Sequence, residues 1–273
     1  MALRVYRPPL PLSQYVEFMW RATGSGLQPS RQRIYPDGSM ALVIHLRRES
    51  TCFFIDDQAC SVRVPLLAGP WSRSFQIDPS QSSPAIGVVF RPGAARMFFP
   101  VAAHELHNID ITLCDLDRGD ANRLLNDVCS AVGIDAEFRA LERYLHMKLA
   151  EARPLHPAIR YAVDQLSREG VSASIQRIQT DTGLSHTRFI HLFREHVGLT
   201  PKLFGRVRRF RALLQRIEKG VPVNWAELAA DCGYFDQAHL IHDFRAFAAI
   251  TPRDYSRMAS GDVSSLITAA VKS

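Results

Sequence analysis

A nine-residue phrase occurs twice in this chain, at residues 193–201 and again at 244–252. Both copies read Phe-Arg, three variable residues, a small residue, Leu or Ile, and then Thr-Pro. A glycine and a helix-capping residue, Gly183 with Ser185 and Gly233 with Asp236, precede the two copies, so each copy closes a helix that follows a tight turn. Each unit therefore reads as helix, glycine turn, second helix and Thr-Pro stop, the pattern of a helix-turn-helix. Because the second helix of such a unit enters the DNA major groove, the doubled phrase predicts transcription control.

The basic charge of the chain lies mainly near these two units. The formal net charge is +6, and residues 155–273 carry 16 Lys or Arg against 11 Asp or Glu. Between His186 and Arg216, eight basic residues accompany a single acidic one, Glu195. The phosphate backbone of nucleic acid is the natural partner of such a stretch, whereas a solvated helix face usually carries both signs. The charge pattern therefore favours a nucleic-acid partner over a solvated surface.

Residues 1 to about 100 have the composition of short strands. Runs of β-branched and aromatic residues at 40–46, 51–55, 61–67 and 85–90 are separated by Pro and Gly turn signals, a spacing typical of a β-sandwich or barrel. From about Ala94 the apolar residues recur at helical spacing, with Asp115 and Asp120 as candidate caps. We therefore expect an α+β chain in which helices follow the strands, with a proline-containing linker at 151–157.

The part that follows the linker is predicted to contain seven helices and no strand. Apolar spacing, caps and glycine stops place them at 157–169, 174–181, 185–197, 203–218, 225–232, 236–248 and 252–258. The helix at 203–218 connects the two units and would be ~24 Å long. We accordingly expect a first domain at 1–153, an all-helical domain at 154–260, and a tail at 261–273 that frays or forms a short helix.

The second helix of each unit has an apolar stripe and a polar face. The stripes comprise Phe189, Leu192 and Phe193 in the first unit, and Leu240, Phe244 and Phe247 in the second. The predicted base-reading residues lie on the opposite faces: Thr187, Arg188, Ile190, His191 and Arg194 in the first unit, and Gln237, Ala238, His239, His242 and Arg245 in the second. Arginine can form two hydrogen bonds with guanine, glutamine can pair with adenine, and aliphatic groups can contact the thymine methyl. Both faces therefore suit a major groove.

Contacts to DNA phosphate are expected from helix amino termini and from basic residues elsewhere in the domain. The candidates are Lys202, Arg206, Arg208, Arg209 and Arg253. Salt bridges within the domain are an open alternative for Arg208 and Arg209. If the linking helix is rigid, the two reading helices enter successive major-groove segments about 34 Å apart, and one monomer reads a nonpalindromic site.

Residues 155–257 resemble the DNA-binding domain of the AraC/XylS family of bacterial transcription regulators. The resemblance rests on the two units, the linking stretch at 207–214, and the run from Trp225 through Phe244 to Tyr255. It implies base reading by Thr187, Ile190, His191, Gln237, Ala238, His239 and His242. The chain departs from the family at Ala249, where glycine is usual. A positive φ at that position would strain alanine by about 1 kcal/mol.

The resemblance also implies a sensor domain ahead of the DNA-binding domain. Family members usually carry a cupin-like β-barrel followed by helices that dimerise, and residues 1–150 look like that arrangement. The segments 35–39 and 89–93 resemble a poorly characterised branch of it. A pocket for an aromatic or anionic effector would use Trp20, Tyr35, Trp71, Phe90 and Arg91. The alternative is that these aromatic side chains simply fill the barrel.

Metal-binding, secreted, membrane and enzyme classes are not favoured. His45 stands alone among the strands, and His104 and His107 fit a surface or capping role, so no metal or other cofactor is predicted. Five scattered cysteines without a CxxC pair indicate reduced thiols, with a redox pair of Cys52 and Cys60 as the minor alternative. Neither a signal-peptide core nor an apolar run of ~18 residues occurs, so a cytoplasmic protein is expected. Common catalytic motifs are missing, so the chain is not predicted to be an enzyme.

The combined expectation is a sequence-specific DNA-binding transcriptional regulator controlled by a small-molecule effector in the N-terminal domain. Its partners would be double-stranded promoter DNA, RNA polymerase, the effector and a second copy of the chain bound through the N-terminal domain. The alternatives are a ligand-independent architectural DNA-binding protein and, least favoured, a barrel enzyme fused to a DNA-binding domain.

Overall fold

The structure is a computed structural model that describes residues 3–23, 31–47, 50–78, 84–152, 154–168, 174–217 and 223–257. Strands occupy the first part of the chain and helices the rest, so the predicted α+β class is confirmed. The predicted tail at 261–273 lies outside the described residues, as does Arg153 in the predicted linker.

Ten strands form two antiparallel sheets within those ranges. Their bounds are β1 Leu3–Tyr6, β2 Val16–Ala22, β3 Gln32–Ile34, β4 Ala41–His45, β5 Ser50–Ile55, β6 Gln58–Arg63, β7 Leu66–Ala68, β8 Phe75–Ile77, β9 Ala85–Phe90 and β10 Asp110–Thr112. The larger sheet has the order β1-β2-β9-β4-β7-β10, and the smaller has the order β3-β8-β5-β6. The single run predicted at 61–67 is divided between β6 and β7, which belong to different sheets.

Strand β9 lies between β2 and β4 in the larger sheet, and all six of its residues are buried. A continuous apolar run is what a strand covered on both faces requires. At Gly87 a side chain would come within 2.5 Å of the Trp20 ring. Glycine therefore allows the indole of the neighbouring strand to lie directly against β9.

The helical spacing that begins near Ala94 does not form long helices at once. Short 3-10 turns occupy 95–97, 103–106 and 113–115, and β10 lies between the last two. Apolar spacing of three to four residues fits successive turns as well as one helix, which is why the sequence pattern was misread here. The first long helices are α1 Arg118–Cys129 and α2 Ile134–Ala150. Asp117 caps α1 by accepting the amide of Asp120, so the caps predicted at Asp115 and Asp120 were wrong.

Seven helices follow, as predicted, among the described residues. Their bounds are α3 Pro157–Arg168, α4 Ile175–Asp181, α5 His186–Val197, α6 Pro201–Arg216, α7 Trp225–Asp231, α8 Gln237–Ala248 and α9 Pro252–Arg257. Most predicted bounds differ from these by one or two residues. The linking helix α6 begins two residues before its predicted start, at Pro201, and its predicted end at Glu218 lies outside the described residues, as do the predicted ends at Glu169 and Met258.

The repeated phrase ends one helix and starts the next. Gly198 and Ala249 stop α5 and α8 in the left-handed conformation, with φ of 86° and 55°. Thr200 then accepts the amide of Leu203, and Thr251 accepts the amide of Asp254. Each threonine is thus the amino-terminal cap of the following helix, with proline in its first turn. The reading of Thr-Pro as a stop was therefore wrong.

Buried side chains form one continuous cluster that extends across the predicted boundary near residue 153. Met40 and Phe90 of the strand region belong to the same cluster as Phe193 and Phe244 of the helical region. The two predicted domains therefore share a packed interface. Their boundary remains a proposal based on the sequence.

Candidate nucleic-acid interface

Helix α5 turns its apolar stripe inward and its polar face outward. Ser185 caps the helix by accepting the amide of Arg188, and Phe189 and Phe193 are fully buried. Four of the five residues predicted to read bases on this helix are exposed, namely Thr187, Arg188, His191 and Arg194. The fifth, Ile190, is half-buried. The structure thus groups all five on one side of a single helix.

Helix α8 repeats the arrangement in the second unit. Asp236 caps it by accepting the amide of His239 at 2.7 Å, and Leu240 and Phe244 are fully buried. The predicted reading residues Gln237, Ala238, His242 and Arg245 are exposed, whereas His239 is half-buried. Both units therefore present a polar helix face beside a buried aromatic core.

Asp243 is a buried charged residue of α8 that the sequence analysis did not single out. Its side chain is 1% exposed, and Arg206 of α6 bonds both of its oxygens, with Nη2 to Oδ1 at 2.6 Å and Nε to Oδ2 at 3.4 Å. Asp243 falls three residues after Leu240 and four before Phe247, on the apolar stripe of α8. A buried carboxylate needs a partner. An aspartate at a core position of the helix was therefore the sequence signal for this pair.

Arg206 is therefore a fixed structural residue in this arrangement, not the free phosphate contact that was expected. Besides the Asp243 pair, its guanidinium lies 5.3 Å from the centre of the Phe247 ring. The pair joins the helix that links the two units to the reading helix of the second unit. Arg206 thus holds α8 in its orientation on α6.

Arg208 and Arg209 also contact other described parts of the chain, through a hydrogen bond and an aromatic ring and not through the salt bridges within the domain that were left open for them. Arg208 Nη1 donates to the carbonyl of Asp37 in the strand region at 3.4 Å, and burial lowers the pKa of its guanidinium. Arg209 lies 5.2 Å from the centre of the buried Tyr234 ring. The Nε atoms of both side chains are buried and have no hydrogen-bond partner among the described residues. Both arginines are half-buried, so their predicted contacts with DNA phosphate stay predictions.

Lys202 and Arg253 are exposed, each one residue after the proline that opens a helix. Lys202 lies in the first turn of α6, and Arg253 lies in the first turn of α9. Amino termini of helices favour anions, so these two positions remain the predicted phosphate contacts. Both helices follow directly after the reading helix of their unit.

The strand region contacts the reading helix of the first unit through the turn at 103–106. His104 of this turn borders a cavity of about 360 Å³ whose other walls are His186, Thr187, Ile190, His191 and Arg194 of α5. Burial, and then the charges of Arg194 and Arg73, lower the pKa of the neighbouring His107. Predicted base-reading side chains therefore face the N-terminal region across an open cleft.

Two further contacts hold α5 beside the N-terminal region. Arg96 Nη2 lies 2.6 Å from Glu195 Oε1. A side chain at Gly198 would come 2.7 Å from the carbonyl oxygen of Ala103 and still closer to Pro70. Gly198 is thus needed both for its positive φ and for this close approach.

The five residues predicted to form an effector pocket do not lie together. Tyr35 packs against Phe210 and Tyr255 of the helical region, with ring centres 6.2 and 5.6 Å away. Trp71 packs against Phe75 and donates Nε1 to Asp110 Oδ1 at 2.8 Å.

The other three predicted pocket residues are equally dispersed. Trp20 covers Gly87, and Phe90 packs against Phe98 in the core. Arg91 is exposed and pairs with Glu17 at 2.8 Å. These five side chains therefore serve packing and ion pairing in separate contacts, which favours the alternative that the aromatic side chains fill the fold.

Histidines of the N-terminal region do not assemble a metal site in the part of the chain that the structure describes. His107 Nε2 lies 2.8 Å from Ser72 Oγ, a tertiary contact that differs from the surface or capping role that was expected. All five cysteines are free thiols. Among the described helices, none combines the length and the apolar character that crossing a bilayer demands.

Two regions of the chain match the models of known protein families. Residues 4–112 match a domain of unknown function, DUF6597, and residues 178–258 match a helix-turn-helix domain, HTH_18. No curated protein sequence matches the chain.

Solved structures of ToxT from Vibrio cholerae align with most of the chain. ToxT of strain O395 is 11% identical, with 95% of this chain and 98% of that chain covered, at a TM-score of 0.42. ToxT of strain SCE256 with an unsaturated fatty acid bound is 10% identical, with 95% and 96% covered, at a TM-score of 0.43.

The helix-turn-helix match extends from α4 to the end of α9 and includes both reading helices and the helix that joins them. The matched residues contain the two capped units of the structure and both copies of the repeated phrase. The carboxy-terminal part of this chain is an AraC-type helix-turn-helix domain.

Proposed function

We propose that the protein is a sequence-specific DNA-binding transcriptional regulator that reads one duplex with both helix-turn-helix units. The observation that supports this most is the pair of matching reading faces on α5 and α8, each exposed beside a buried aromatic stripe. A single unit of this kind would be compatible with many roles. Two units joined by one continuous helix, α6, fit a single recognition surface.

The proposed contacts divide into base reading and phosphate positioning. Base edges are read by the exposed side chains of α5 and α8, with His191 and His242 as the residues we test. Phosphates are held by Lys202 and Arg253 at the starts of α6 and α9. Arg206 acts indirectly, because its pair with Asp243 orients α8.

We further propose that control is exerted through the N-terminal region, which faces α5. A duplex that reaches His191 and Arg194 needs the space beside the 103–106 turn, since these residues and His104 line the same open cleft. A small molecule that occupies this cleft would alter how freely α5 meets DNA. Dimerisation through the N-terminal region and contact with RNA polymerase complete the proposal as functions expected of such a regulator.

The test of the proposed function is selection of duplexes from a random pool by the purified full chain. We expect enrichment of one asymmetric site, and affinity for it that falls steeply as salt concentration rises. Recovery of no preferred sequence, with binding that is insensitive to salt, would exclude the proposal. An architectural protein would instead bind all duplexes in a salt-dependent way without enriching one.

A further inference from the structure

Phe235 is a large apolar side chain in the second unit, and it is 93% exposed. It directly precedes Asp236, the residue that caps α8. The neighbouring Tyr234 is only 4% exposed, so the chain buries one aromatic ring and turns the next outward. Folding therefore does not explain the choice of phenylalanine at this position.

The exposed ring belongs to a residue that the first unit does not have. In the first unit Gly183 is followed by Leu184 and then by the cap Ser185. In the second unit Gly233 is followed by two residues, Tyr234 and Phe235, before the cap Asp236. Leu184 is half-buried against the core, a position that Tyr234 takes in the second unit. Phe235 is thus the additional residue of the longer turn.

The backbone that carries Phe235 is held from both sides. Its amide lies 3.4 Å from His239 Nδ1, to which it donates. The His239 ring in turn packs edge to face on Tyr234, with ring centres 5.3 Å apart. Gly233 supplies the positive φ of 68° that this tight turn uses. Because this backbone is already fixed, less conformational entropy is lost when the Phe235 side chain binds a partner.

We propose that Phe235 is an apolar DNA contact that packs against deoxyribose or a thymine methyl at the edge of the groove entered by α8. This inference rests on the proposed function. The amino-terminal residues of a reading helix contact base edges, and Phe235 is continuous in sequence with the exposed Gln237 and Ala238 at that end of α8. Phenylalanine is one of the side chains that contact the thymine methyl.

The proposed contact differs physically from the phosphate contacts. Phe235 carries no charge, so its contact with DNA releases no counterions and leaves the dependence of affinity on salt unchanged. Burial of an aromatic ring nevertheless contributes to affinity in proportion to the apolar area removed from water. Loss of affinity with an unaltered salt dependence is therefore the signature of this contact.

The experiment compares Phe235→Ala and Phe235→Leu in the full chain, with the duplex selected by the wild type. Val132→Ala is the matched control, because Val132 is 94% exposed in the N-terminal region. We expect Phe235→Ala to bind about tenfold more weakly, with the wild-type salt slope and melting temperature. Phe235→Leu should retain most of the affinity, and Val132→Ala should bind as the wild type does.

One result would overturn the inference while leaving the proposed function intact. Wild-type affinity of Phe235→Ala for the selected duplex would show that the ring does not touch DNA. If that variant also lost transcription from a promoter with the site, the ring would instead serve a protein partner such as polymerase. If the wild type itself selected no duplex, the proposed function would fail, and this inference with it.

Discussion

At the scale of single residues, the orientation of the second reading helix depends on a buried charge. Asp243 is almost fully buried on the core stripe of α8, and the Arg206 guanidinium compensates it. His239 and His242 lie on either side of the carboxylate, with ring nitrogens 3.9 and 3.6 Å from its oxygens. Two predicted base-reading residues therefore depend on the same pair.

Arg206→Ala should lower the free energy of unfolding by about 3 kcal/mol, because it leaves a buried carboxylate without its partner. The measurement is urea denaturation at pH 7. Lys202→Ala on the same helix is the control, and its effect should be small because Lys202 is exposed. Replacing both partners, Arg206→Met with Asp243→Leu, should restore much of the stability. If Arg206→Ala and Lys202→Ala were equally stable, the pair would not hold α8.

Asp110 should make the stability of the N-terminal region pH-dependent. Burial raises its pKa from 3.8 to about 6, although hydrogen bonds from Trp71 and the Gly69 amide act in the opposite direction. Between pH 4 and 6 the folded protein therefore binds a proton that the unfolded chain releases. The contribution of this group to the free energy of unfolding must fall as pH rises through that window.

Asp110→Asn removes this titration and should be more stable than the wild type at pH 7, by about 3 kcal/mol. Asparagine keeps an acceptor for Trp71, so the hydrogen bond at 2.8 Å is preserved. Denaturation at pH 4, 5, 6 and 7 should show the difference between the two proteins growing with pH. A difference that stayed constant across this range would refute the raised pKa.

At the scale of elements, the two copies of the phrase stop their helices in the same way with different residues. Gly198 and Ala249 both have left-handed backbones, and each donates its amide to an arginine carbonyl four residues earlier. Alanine accepts this conformation only with strain. The substitution at Ala249 therefore costs stability without changing the kind of turn.

Ala249→Gly should raise the melting temperature, with a gain in unfolding free energy of about 1 kcal/mol. Ala249 is exposed, so no packing is lost. The reciprocal change, Gly198→Ala, should be strongly destabilising, because its side chain would collide with Ala103 and Pro70. Thermal denaturation of both variants tests this, and a lower melting temperature for Ala249→Gly would count against the strain.

The elements that the sequence predicted well are those with local signals. Caps such as Ser185 and Asp236, together with apolar stripes at helical spacing, define α3 to α9 and the outward faces of α5 and α8. The roles of Arg206 and Arg208 were not accessible in this way, since their partners lie 37 and 171 residues away. Charge alone does not reveal whether an arginine faces solvent or pairs inside the fold.

At the scale of the whole molecule, two segments of the N-terminal region, 35–39 and 89–93, pack against the helical region. In the segment 35–39, Tyr35 packs on Phe210, the Asp37 carbonyl accepts from Arg208, and a side chain at Gly38 would come within 2.8 Å of Phe204. Gly93 of the segment 89–93 likewise approaches α5 near Val197. These segments therefore pack the two regions against each other.

Arg96→Ala should raise affinity for the selected duplex about fivefold, because it removes one ion pair that holds α5 beside the 103–106 turn. Arg91→Ala is the matched control, since it breaks an ion pair, with Glu17, inside the N-terminal region. Binding titrations of both variants measure the effect. Equal affinities of the two variants would indicate that the N-terminal region does not restrain the first reading helix.

The central claim is that both α5 and α8 read bases, and it is tested most directly by titrating His191→Ala and His242→Ala against the selected duplex and a scrambled one. Each substitution should weaken binding to the selected duplex about tenfold. Affinity for the scrambled duplex should stay unchanged, and so should the salt slope. Equal loss on both duplexes, or no loss from either substitution, would contradict the claim that the two helices read sequence.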